Sequence, residues 1–64
     1  MNNRDKLMEV MLEKNLDRME LAEILRVKRE QIDYWLLPGE SKNHQEVPDM
    51  AIELLEIKLG YKSE

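Results

Sequence analysis

The sequence predicts an all-α domain of four helices, or five where a short turn is counted as one. Three observations predict it. Apolar residues recur at three- and four-residue spacing along most of the 64-residue chain, and no stretch shows the alternation that a strand needs. The composition is helical, with ten leucines and five methionines but no Thr and no Phe. The two Pro and two Gly fall where helices would begin or end, and they are too few for a linker or low-complexity segment.

The first helix is expected over about 3–14, with Leu7, Met8, Met11 and Leu12 on one face and Glu9 and Glu13 on the other. Asn15 and Leu16 break it. Asp17 then offers a carboxylate to the free N–H groups of a second helix, and Glu20 follows three residues on, the spacing of a capping box. This helix carries Leu21, Ala22, Ile24 and Leu25, and it is brief because a turn must fall near Arg26 and Val27. The third helix is expected over about 28–37. Ile32, Trp35 and Leu36 face inward with Val27, leaving Arg29, Glu30, Asp33 and Tyr34 outward. Pro38 biases Leu37 away from helical dihedrals and Gly39 permits the next turn. A polar loop over 40–46 follows. Pro48 is expected as the first residue of a fourth helix over about 48–59, which Gly60 stops.

The fourth helix is apolar over more than half its circumference, through Met50, Ala51, Ile52, Leu54, Leu55, Ile57 and Leu59. Packing on one small core needs a narrower stripe. Two readings follow: a homodimer contact through Ile52, Leu55 and Leu59, or a helix buried more deeply in its own monomer.

At 7.7 kDa the chain is expected to form a single domain over 1–64. A domain of this size buries only about 60% of its unfolded surface, so its stability is marginal without outside help. The absence of Cys removes disulfides and thiolate metal sites, and His44, the single histidine, cannot make a His-based site alone. No metal and no cofactor is expected, which leaves oligomerisation as the source of help. No enzyme is expected either. Ser41 and His44 lack a structured pocket, and 14 carboxylates in a short chain guarantee neighbouring pairs by chance. No apolar run matches a membrane span and the start lacks a signal-peptide core, so a cytoplasmic, nucleoid-associated protein without a membrane partner is expected. Net charge is −4, from 14 acids against 10 bases, which argues against nucleic-acid binding by bulk charge alone. The deficit is uneven. Residues 1–35 hold seven bases and eight acids, and 36–64 hold three and six.

Function is most legible between Leu16 and Trp35. A short capped helix, a tight turn and a second helix beginning about eleven residues after the first describe a helix-turn-helix over about 17–37. In such a pair the first helix braces on the DNA backbone while the second lies in the major groove, so small and aliphatic residues must lock them together. Ala22 permits close approach, Val27 plugs the turn, Ile32 and Trp35 anchor the second helix, and Leu21 and Leu25 complete the wedge.

These residues carry a resemblance. Leu21-Ala22-x-x-Leu25-x-Val27 followed by Ile32-x-x-Trp35 resembles, without a gap, the motif of the phage Cro/repressor (XRE) family of helix-turn-helix regulators, whose fold is lambda-repressor-like. The motif covers 20 of the 64 residues, and the flanking helices match the small members of the family. Family members usually place Gly in the turn, where this chain has Arg26; a left-handed Arg costs about 1 kcal/mol. They usually cap the second helix with Ser or Thr, where this chain has Lys28, which cannot accept the N–H hydrogen bonds.

Position by position, the resemblance implies that Lys28, Arg29, Glu30 and Tyr34 face base edges or their sugars, Arg29 toward guanine and Glu30 toward cytosine N4. It implies phosphate contacts for Arg18, Arg26 and, from the loop, Lys42. Asp33 would repel phosphate unless Arg29, four residues earlier, pairs with it. The implied function is sequence-specific binding of a double-stranded DNA operator by a transcriptional regulator, a repressor acting as a homodimer on an inverted repeat.

The alternative from another class is a helix-turn-helix fold used as a protein-binding module, an inhibitor or antirepressor, with Glu30 and Asp33 defeating DNA contact. An antitoxin ranks last, because only Tyr61, Lys62, Ser63 and Glu64 remain beyond 60 for a toxin-binding segment. Plainer roles stand beside these. Trp35 is expected in the core, and Met8, Met11, Met19 and Met50 as gap-fillers in a core without Phe. His44 is expected to be exposed. Tyr34 and the Arg26-x-Lys28-Arg29 cluster suit either DNA contact or a solvated surface.

Overall fold

Helix boundaries in this chain follow from single residues. The computed structural model describes residues 2–60, which hold α1 (Asn3–Glu13), α2 (Arg18–Leu25), α3 (Arg29–Leu36) and α4 (Asp49–Leu59), with no strand among the described residues. Residues 61–64, where a toxin-binding segment was considered, lie outside them. The Asn2 side chain caps α1 by accepting from the Asp5 N–H at 2.8 Å. At its other end Asn15 turns left-handed, at φ 54°, and the Leu16 N–H reaches back to the Met11 carbonyl at 2.9 Å. This is a Schellman closure using the non-glycine residue that best tolerates it.

The capping box of α2 is complete. Asp17 accepts from the Glu20 N–H at 2.8 Å while Glu20 accepts from the Asp17 N–H at 2.9 Å. Leu37 ends α3 in extended geometry ahead of Pro38. Pro48 is the N-cap of α4 and not its first residue, because its ψ of 151° keeps it extended; Gly60, at φ 64°, closes the far end.

The core draws on every helix: Leu7 and Val10 from α1, Leu21, Ala22 and Leu25 from α2, Ile32, Trp35 and Leu36 from α3, and Ala51, Ile52 and Leu55 from α4. Val47 joins them from the connecting loop. α2 packs chiefly on α3 and also meets α4, while α1 spans α3 and α4 from the other side. No polar side chain is fully buried among the described residues.

Three expectations are corrected by this packing. On α1 the inward pair is Leu7 with Val10, while Leu12 is 84% exposed. The methionines do not all fill the core: Met11 packs against it, but Met8, Met19 and Met50 are exposed. The dimer residues expected on α4 are largely internal, since Leu55 is fully buried, Ile52 nearly so, and Leu59 packs on the same core. The apolar side chains that α4 turns outward are instead Met50 and Ile57, while Leu54 is half-buried against the core.

Long-range polar contacts join the helix ends. The Asn3 amide donates to the Val47 carbonyl and to Asp49 Oδ1, each at 2.8 Å. Arg4 donates through Nε and Nη2 to the Leu36 carbonyl at 3.1 and 3.0 Å. The first turn of α1 therefore holds both ends of the connection from α3 to α4. Lys58 Nζ donates to the Ile24 carbonyl at 2.7 Å, supplying a partner to an acceptor near the C-terminus of α2.

Candidate nucleic-acid interface

The turn between α2 and α3 decides what α3 presents. Arg26 adopts φ 60° and ψ 41°, the left-handed conformation that favours Gly. Its own N–H reaches Glu23 at 3.3 Å, and the Val27 N–H reaches the Ala22 carbonyl at 3.0 Å. This closes α2 tightly and lets Val27 pack against the core. The cost is a β-carbon in a crowded region of backbone space, and the return is a cation projecting at the turn. Lys28 follows as the N-cap of α3 without a side-chain cap bond, since an ammonium has no acceptor to offer the first N–H groups, and it is exposed.

α3 sets Ile32, Trp35 and Leu36 into the core and leaves Lys28, Arg29, Glu30 and Tyr34 exposed. These four residues therefore share one solvent-facing surface, with Arg26 beside its start. Arg18 belongs to α2 but is tied to the same surface: its Nη1 donates to Asp33 Oδ1 at 2.5 Å. Arg29 Nη2 stands 3.9 Å from the other oxygen of the same carboxylate. The i, i+4 pairing expected for Asp33 is thus present but long, and the shorter bond comes from another helix. Sequence spacing alone could not reveal that partner.

The loop after α3 also reaches this surface. The Gln45 N–H donates to the Tyr34 carbonyl at 3.2 Å, and Gln31 Nε2 donates to Gln45 Oε1 at 2.7 Å. Between them lies a notch of about 190 Å³ lined by Val27, Lys28, Glu30, Gln31, Tyr34 and Gln45. Gln31 and Gln45 extend the candidate surface beyond the residues expected. Lys42 is exposed on this loop, with no hydrogen bond or ion pair to α3 among the described residues.

His44 is not exposed. Its side chain keeps only 9% of its accessible surface, Nε2 stands 3.3 Å from Glu46 Oε2, and Nδ1 is buried without a hydrogen-bond partner. A loop docked by Gln45 on one side carries the imidazole inward; the surrounding polar residues gave no sign of it.

Among the described residues no cluster of His, Cys, Asp or Glu could hold a metal ion, and no helix is long and apolar enough to cross a membrane. The chain matches no protein-family model, no curated protein and no solved structure with which it was compared.

Proposed function

We propose that this protein binds double-stranded DNA sequence-specifically, α3 reading the major groove, and acts as a transcriptional regulator that represses by occupying its operator. One observation carries the reading. A short helix bearing exposed Lys28, Arg29, Glu30 and Tyr34 is locked across α2 by the left-handed turn at Arg26. Arg29 is suited to a guanine edge and Glu30 to cytosine N4. Arg26 and Lys28 are suited to phosphate, where their side chains gain more than they contribute to local stability. Pairing by Arg18 and Arg29 offsets the repulsion that Asp33 would otherwise exert on the duplex. The homodimer contact expected on α4 loses its basis at Ile52 and Leu55, which are buried in the core of the monomer.

The test is selection from a random duplex library at near-physiological salt, followed by a salt titration of the winner. An enriched sequence whose affinity falls steeply with salt is the expected result. No enrichment, with the protein shown folded in the same buffer, overturns it.

A second reading, a protein-binding module, is favoured by one specific observation. Asp33 occupies both Arg18 and Arg29, and Glu30 lies among the reading residues, so much of the local positive charge is already offset. Binding through an apolar contact would change little with salt.

A further inference from the structure

The loop between α3 and α4 returns to α3 through Gln45. This residue is fixed twice, its N–H donating to the Tyr34 carbonyl at 3.2 Å and its Oε1 accepting from Gln31 Nε2 at 2.7 Å. Yet Gln45 is exposed. Because Gln31 engages the oxygen, the two N–H groups on Gln45 Nε2 are what this amide has left to offer a ligand. The same bonds hold the side chain in place beforehand, so little rotamer freedom is lost on binding. Beside it is the notch of about 190 Å³, where half-buried Val27 and the Tyr34 ring supply apolar wall and Lys28 and Glu30 complete the lining. Apolar wall and amide donor thus lie side by side, at a hollow on the scale of one base edge.

We propose that this notch reads a thymine of the duplex, the C5-methyl entering against Val27 and Tyr34 while Gln45 Nε2 donates to O4. The assignment rests on the DNA reading above and names a base for it. In the major groove, thymine alone of the four bases sets a methyl group next to an acceptor. Adenine is matched by an amide that donates to N7 and accepts from N6, and the accepting half of Gln45 is already held by Gln31. Guanine offers acceptors without the methyl. Cytosine presents a donor at N4, which would face another donor. Gln45 is therefore a specificity residue supplied from outside α3, by the loop that follows it, and Gln31 is the residue that positions it.

The test starts from the duplex that selection enriches. Each thymine in it is replaced in turn by uracil, which differs only in lacking the methyl, and affinity is read by fluorescence anisotropy. At one position per bound copy the unaltered chain should lose about four-fold, the gain from burying one methyl-sized group. Gln45→Ala, at an exposed loop position, should lose about two- to tenfold on the selected duplex and discriminate less between T·A and C·G at that same pair. A merely structural role for the loop would weaken all sequences alike and leave base preference unchanged. Gln45→Glu keeps an oxygen for Gln31 but replaces the donor with a second acceptor, so preference at that pair should move from thymine toward cytosine. Circular dichroism verifies that both variants are folded. Uracil tolerated at every position overturns the assignment while DNA binding stands. So does a Gln45→Ala chain with unchanged base preference, or one whose altered pair is not the uracil-sensitive one. No enriched duplex at all overturns the DNA reading, and this assignment with it.

Discussion

Arg18, at the first position of α2, donates to Asp33 on α3 at 2.5 Å, so an ion pair bridges α2 and α3 on the side that would face DNA under the proposed function. Both side chains keep substantial exposure, 50% and 38%, and such pairs contribute little stability, about 0.2–1 kcal/mol. The pair matters more for the charge it withholds.

Asp33→Asn should therefore leave the urea midpoint nearly unchanged, within about 1 kcal/mol. It releases Arg18 and Arg29 from a carboxylate. Under the proposed function, affinity for arbitrary duplex rises and falls more steeply with salt, as measured by fluorescence anisotropy at several ionic strengths. Unchanged affinity and slope would count against α3 facing the duplex.

Arg26→Gly should stabilise the fold by about 0.5–1 kcal/mol, because the left-handed backbone at φ 60° then carries no β-carbon. Thermal unfolding followed by circular dichroism reads this as a shift of several degrees upward. The same substitution removes a cation, so under the proposed function DNA affinity should fall as stability rises.

Lys28→Ser supplies the cap that α3 lacks. Stability should increase by about 0.5–2 kcal/mol, the range for gaining an N-cap side chain. A helix that shows no gain would mean that its first N–H groups already have other partners.

On α4, Leu55→Ala should cost about 2–5 kcal/mol, enough to unfold much of so small a domain, because Leu55 is fully buried. Ile57→Ser, two residues away and 79% exposed, should change monomer stability by less than about 0.5 kcal/mol. Chemical denaturation of the two variants at low concentration separates the inner face of α4 from its outer one.

The difficulty of assigning those faces from the sequence has a physical cause. Where a helix is amphipathic, its polar side fixes its rotation, as Ile32, Trp35 and Leu36 do against Arg29 and Glu30 on α3. α4 is apolar over more than half its circumference, so its wheel has no strong phase, and Leu55 could be exchanged for Ile57 without violating any local rule. Caps were easier to read because they are local: Asp17 with Glu20, Pro38 and Gly60 act on neighbours in the chain. The bond from Arg18 to Asp33 and the docking of Gln45 on Tyr34 join residues 15 and 11 positions apart across a packed fold. No periodicity encodes such approaches. The placement of four helices was therefore accessible, and the polar wiring between them was not.

His44→Leu should be neutral or stabilising, by up to about 1–3 kcal/mol at neutral pH, since it removes a buried nitrogen without a partner and keeps an apolar filler. Guanidinium unfolding of the variant checks this. A clear loss of stability would show that Nδ1 holds a partner such as an ordered water.

The grip of Asn3 and Arg4 on Val47 and Leu36 bears on how this protein can change over generations. The stretch between those anchors begins and ends at points fixed from outside it, so its middle carries no duty of bringing α3 and α4 together. A β-carbon at Gly39 would meet nothing within 4 Å, and lengthening a loop costs only about 0.6 kcal/mol per doubling. Insertions near 39–43 should thus pass with little penalty while Gln45 keeps its dock. That makes the segment a natural place to graft an additional binding loop, or to rejoin the chain in a permuted order.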